Sequence, residues 1–347
     1  MNYVTLLYLL PHSIYTTKRF QMDSKKHNIG LTHANKHLPR LAIIGAGSIG
    51  LLFYHLLKSS HRFDPFFIEP RPSHQVCKRK SLAFWDLGLS YHQALVTRPK
   101  ALLHADALII TTKAFSVASV CAQVKPYLQA KCPVIIAANG LGAVTKAQEK
   151  LPKGQPIFAA ITAHGAMKKH NCCFHRGVGP TFIGPTMSLN NSYVPKFSFV
   201  PSAPLINAIA QALNGQRVLD VSPYLLKKLS ANAVINPLTA RYQCSNGELL
   251  KSSYQAVVED LCSEITPILQ ALGLNTTKTE LLTTVKTIMK ATATNFSSME
   301  QDVAYGRLNE VEYILTPLIK VANKNNLPAP LCQQLEKELM CNQTPKT

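Results

Sequence analysis

Gly45-Ala46-Gly47-Ser48-Ile49-Gly50 is the feature that most constrains this chain. Its spacing is G-x-G-x-x-G, which is weak evidence alone and stronger in context. The apolar run Leu41–Ile44 precedes it and reads as a buried strand. From Ser48 to Lys58, the residues Ile49, Leu52, Phe53, Leu56 and Leu57 recur at helical spacing. A strand that turns through glycines into a helix is what dinucleotide binding requires. Gly45 permits the tight turn, Gly47 lets the backbone approach a pyrophosphate, and Gly50 lets helix and strand pack closely. The helix start offers free N–H groups and partial positive charge to the phosphates.

Strand and helix signals keep alternating beyond this loop. Phe66–Glu69, Ala107–Thr112, Val134–Ala138 and Ile157–Ala163 read as strands, with helices expected near Ser116–Leu128 and after Gly142. Alternation of this kind implies a parallel sheet covered on both faces. Thr181–Gly184 reads as a last strand, and residues 185–204 are a connection rich in Pro, Ser and Asn. From Leu205 onward the pattern is helical. Tyr224–Tyr242, Gly247–Leu272, Thr279–Met299 and Arg307–Asn325 are the strongest helices, with Leu331–Met340 last, after Pro328 and Pro330. The expected domains are a flexible N-terminal extension (1–39), a Rossmann-type nucleotide-binding α/β domain (40–204), an all-α catalytic domain (205–341) and a tail (342–347).

At 347 residues, with 46% hydrophobic and 16% charged, the chain suits two globular domains. A net charge of +19 raises the question of nucleic acid. The basic residues are dispersed, however, and the densest cluster is only Lys78-Arg79-Lys80. No nucleic-acid partner is expected, and the charge suits small anions. No run of ~18 apolar residues occurs, so no membrane span is expected, and the chain reads as soluble and cytoplasmic. Nine cysteines without CxxC spacing read as reduced thiols, and no metal site is expected.

Cofactor choice turns on two residues. Glu69 lies 19 positions after Gly50, where an acid commonly bonds the ribose of NAD. Arg71 follows two residues later, and its planar donors suit a 2′-phosphate. NADP(H) is the expectation, with Arg71 as the phosphate contact, although Glu69 argues the other way.

The catalytic signal lies in the second half. Lys228, Asn232 and Asn236 are spaced i, i+4, i+8 and fall on one helical stripe drifting about 40° per step. Their neighbours Leu229, Ala231, Ala233, Val234 and Ile235 are apolar. Such a stripe is costly in a buried helix unless it has partners, so it either contacts another helix or lines a ligand cleft. Pro237 is expected to kink the helix and help expose the stripe.

The segment from Lys228 to Leu249, KLSANAVINPLTARYQCSNGEL, closely resembles the hallmark motif of ketopantoate reductases. Other segments resemble that family in the right order. They are Thr112-Lys113-Ala114, Ala138–Gly142, Thr162–Ala166, Asn295–Asp302 and Glu310–Ile314. The resemblance runs from about residue 41 to 340. It implies a helical domain like that of 6-phosphogluconate dehydrogenase. It also implies reduction of 2-dehydropantoate to (R)-pantoate on the route to pantothenate and coenzyme A, by hydride from the nicotinamide C4 of NADPH. Lys228 would be the proton donor. Asn139, Asn232, Asn236, Asn246 and Ser298 would hold the substrate. Gly45, Ala46, Gly47, Ser48, Ile49, Gly50, Arg71, Lys113, Asn139, Ala166 and Glu310 would contact the cofactor. The partner is a small 2-keto acid, and the chain acts as a monomer or homodimer. A related reductase acting on another 2-keto or imino acid and a non-catalytic NADP-binding regulator remain alternatives. His164, Trp85, Asp302 and Glu312 are read as structural, with Trp85 as packing and the two acids as helix-orienting or solvent-facing.

Overall fold

The computed structural model describes residues 37–69, 78–85, 88–170, 172–187 and 202–341. Arg71 and most of the expected N-terminal extension lie outside these residues, as does the 342–347 tail.

The first part is built from β1 (Arg40–Ile44), α1 (Ser48–Ser59), β2 (Asp64–Ile68), β3 (Lys78–Trp85), β4 (Leu89–Thr97) and β5 (Ala107–Ile110). It continues with α2 (Val117–Val124), β6 (Val134–Ile136), α3 (Ala143–Lys150), β7 (Ile157–Thr162), β8 (Gly165–Lys169), β9 (Cys172–Gly177) and β10 (Thr181–Gly184). All of these strands, with a short β11 (Gln216–Arg217), join one sheet in the order β11-β10-β7-β6-β5-β1-β2-β4-β3-β9-β8. Strands β1, β2, β5, β6 and β7 pair in parallel, and their inner residues are apolar on both faces. Helix α1 covers one face through Leu51, Phe53 and Leu57, and α2 and α3 cover the other through Val117, Val120 and Ala147.

Three pairings depart from the parallel sheet read from sequence. β3 and β4 form an antiparallel hairpin, and β8 and β9 form another that joins β3 at the sheet's end. β10 also runs antiparallel to β7. Trp85, expected to be packing, is 50% exposed at the end of β3.

The second part contains α4 (Ala203–Ala212), α5 (Ser222–Tyr242), α6 (Ser252–Ala271), α7 (Lys278–Ala291), α8 (Ser298–Ala304), α9 (Val311–Ile314), α10 (Thr316–Lys324) and α11 (Pro330–Cys341). Ile206, Ile209 and Ala210 of α4 join the core of the sheet. Helix α5 is buried nearly all round from Leu225 to Ala240, as the central helix of a bundle must be. It runs through Pro237 without ending. The single helices expected over Thr279–Met299 and Arg307–Asn325 are each divided in two. Residues 292–297 leave the helix to let Ser297 cap α8, and α9 is a four-residue turn before α10.

Among the described residues, no helix is long and apolar enough to cross a membrane.

Candidate active site

Sheet order reverses at β1, with β5 on one side and β2 on the other. A crevice opens beyond the carboxyl ends of strands at such a point, and ligands bind there. The glycine loop leaves β1 at this crevice, and Lys113 follows β5 beside it. Gly45 has φ +112°, and a Cβ on it would meet Thr111 Oγ1 at 2.7 Å. A Cβ on Gly50 would fall 1.8 Å from the Gly45 carbonyl oxygen. Among the described residues nothing lies within 4 Å of a Cβ built on Gly47. Two glycines are thus required by packing, while the third leaves an approach to the α1 N-terminus free, an arrangement that fits a dinucleotide pyrophosphate.

The helical part closes over this crevice through a polar network. Glu310, 4% exposed, accepts from the Ala114 backbone N–H at 2.9 Å and from Asn139 Nδ2 at 3.2 Å. Lys113 Nζ lies 3.6 Å from Glu310 and 2.5 Å from Asp302 Oδ2. Asp302 is itself buried and accepts from Arg307 Nε at 3.2 Å. Sequence reasoning read Asp302 only as orienting helices or facing solvent. It lies one turn after Ser298, and that i, i+4 spacing was the available signal. Glu312 is exposed, as expected.

Asn139 is aimed by its turn. Gly140 has φ +76°, and a Cβ there would lie 2.1 Å from the Tyr313 carbonyl oxygen. The same carbonyl accepts the Leu141 N–H at 2.8 Å. The turn is therefore seated directly on α9, which keeps Asn139 against Glu310.

Lys228, Asn232 and Asn236 all lie on α5, at the spacing the sequence showed. Lys228 is half-buried, and its Nζ donates to the Thr162 carbonyl at the end of β7, 3.1 Å away. Burial lowers its pKa to about 8 by desolvation, against the opposing attraction of Glu310. The nearby negative charge therefore offsets only part of the cost of burying the ammonium. The carboxamides of Asn232 and Asn236 have no partner among the described residues, though Asn236 is 7% exposed. Asn246 Nδ2 donates to Thr292 Oγ1 at 2.9 Å, while its buried Oδ1 is unpartnered. Ser298 opens α8 and is exposed, and Ala166 sits at the bulge that starts β8. Glu69 is exposed just after β2. His164, close in sequence to Thr162, turns its ring away, to His175 at 3.0 Å and the Leu213 carbonyl at 3.1 Å.

A Rossmann crevice facing a helical part that carries a half-buried lysine, and carboxamides without partners among the described residues, fits a two-domain nicotinamide-dependent oxidoreductase. The family profile described as Ketopantoate reductase PanE/ApbA matches residues 41–187, and its C-terminal counterpart matches residues 220–340. The chain belongs to the ketopantoate reductase family.

It is 30% identical to the 2-dehydropantoate 2-reductase of Yersinia pestis over 295 residues, 84% of this chain and 91% of the relative. The Vibrio cholerae 2-dehydropantoate 2-reductase is 28% identical, over 86% of this chain and 96% of its own length. In fold it resembles the PanE/ApbA family ketopantoate reductase from Ralstonia eutropha JMP134, with TM-score 0.73 at 20% identity over 88% and 98% of the two chains. A D-mandelate dehydrogenase solved with NADH and anilino(oxo)acetate shares the fold at TM-score 0.74 and 17% identity, over the same shares.

Proposed function

We propose that this protein reduces 2-dehydropantoate to (R)-pantoate with NADPH, in the cytoplasm. The observation that carries the reading is Lys228, a half-buried ammonium on α5 that reaches across to the Thr162 carbonyl at the end of β7, with burial lowering its pKa to about 8. A nicotinamide bound at the glycine loop would supply the hydride for the keto carbon. Lys228 stabilises the developing alkoxide and delivers a proton to that oxygen, which an ammonium of pKa about 8 does readily near neutrality. Its hydrogen bond to the Thr162 carbonyl keeps Nζ directed before substrate arrives.

Asn232 and Asn236, without side-chain partners among the described residues, hold the substrate's polar groups, and Asn246 and Ser298 complete that side. Asn139 touches both ligands, steered by Glu310. Glu310 and Lys113 bind the cofactor and join the two parts around it, and Ala166 lines the nicotinamide side. The glycine loop from Gly45 to Gly50 takes the pyrophosphate, and Arg71 takes the 2′-phosphate. The family relatives favour 2-dehydropantoate over another keto or imino acid.

Steady-state assays with each coenzyme test the assignment. The expected result is a higher kcat/KM with NADPH than with NADH. It should also be higher with 2-dehydropantoate than with unhydroxylated branched 2-keto acids. Preference for NADH would overturn the role of Arg71, and equal rates on all keto acids would overturn the substrate.

A further inference from the structure

The glycine loop has a second neighbour, contributed by a strand more than a hundred residues away. The Lys168 backbone N–H donates to Ser48 Oγ at 3.1 Å, and Lys168 Nζ donates to the Ala46 carbonyl at 3.0 Å. Opposite it on β9, Cys173 places its thiol 3.6 Å from the Ser48 carbonyl. Lys168 and Cys173 are cross-strand partners and so share the face turned to α1. The bulge between Gly165 and Ala166 sets that facing.

Lys168 is exposed, and its ammonium stands beside a helix start that itself favours anions. Ser48 is the first residue of α1, whose first turn has no acidic residue and whose N-cap, Gly47, offers no side-chain acceptor. The helix start is therefore a centre of partial positive charge with free N–H groups. An ammonium anchored beside it adds like charge, and no carboxylate among the described residues pairs with that ammonium. A neutral carbonyl is a modest partner for a lysine; a phosphate is a stronger, charge-assisted one. The approach over Gly47 is open.

We propose that Lys168 is a cofactor-binding residue, whose ammonium turns from the Ala46 carbonyl onto the dinucleotide pyrophosphate and clamps it against the start of α1. This rests on the nucleotide reading of the glycine loop. Because pyrophosphate is common to both coenzymes, Lys168 adds affinity without choosing between them, in contrast to Arg71.

The test is titration of the full chain with NADPH and with NADH, followed by nicotinamide fluorescence and repeated with ADP-ribose by calorimetry. Lys168→Ala should raise all three Kd values by about 10- to 100-fold, the scale of one charge-assisted hydrogen bond. Lys168→Arg should recover most of that affinity. Unchanged Kd values in Lys168→Ala, while the wild type binds, would overturn the clamp. A loss confined to NADPH would overturn it too, placing the lysine on the 2′-phosphate. A wild type that binds none of the three would overturn the nucleotide reading beneath it.

Discussion

In the proposed mechanism Lys228 is the proton donor, and burial and charge act on it in opposition. Desolvation lowers its pKa to about 8, and Glu310 pulls the other way. Donation requires the ammonium, so kcat/KM for reduction should fall as pH rises through about 8, as a pH–rate profile would show. The stability consequence has the opposite sense. A lysine with a depressed folded pKa carries a penalty that is complete below about 8 and vanishes as pH passes the ordinary value of 10.5. Lys228→Met should therefore raise Tm at pH 7 and lose that advantage at high pH, in calorimetry. The same variant should lose about 10²- to 10⁴-fold in kcat. A residue that costs stability and carries turnover is expected at an active site.

Elements, more than single residues, decide where the side chains meet. α5 was legible in the sequence because its apolar neighbours and its four-residue polar spacing agree with one helix. The polar stripe could be read from residue types alone as far as Asn236, with a helix contact and a ligand cleft both left open. The Thr162 carbonyl was not legible, since a backbone acceptor leaves no residue-type signature. The Asn139 turn was visible as a motif, but its seat on α9 was not. Gly140→Ala should cost about 2 kcal/mol or more in urea denaturation, from positive φ and the clash with the Tyr313 carbonyl. It should also lower kcat/KM, because Asn139 and Glu310 would separate.

At the scale of the molecule, the parallel core of the sheet and the helical second half were readable, because buried strands and amphipathic helices have distinct periods. The β3–β4 and β8–β9 hairpins escaped notice. Their strands carry polar residues such as Lys80, Gln93 and Lys168, and only one of their faces is buried. The two parts are joined by an apolar cluster of Ile161 and Phe182 with Leu225 and Tyr224, and by polar contacts distant in sequence: Lys113 to Asp302 and Glu310, and Glu310 to Ala114 and Asn139. A double-mutant cycle on Lys113→Ala and Asp302→Ala should show a coupling of about 1 kcal/mol, modest because Lys113 is about one-third exposed. The single Lys113→Ala change should also weaken NADPH binding, since the same ammonium faces the crevice.

The most direct measurement is to mix the purified protein with NADPH and 2-dehydropantoate and follow the loss of NADPH absorbance. Rapid oxidation that depends on the keto acid and disappears in Lys228→Ala is the predicted result. No oxidation by folded protein that binds NADPH, or an undiminished rate in the lysine variant, would contradict the account.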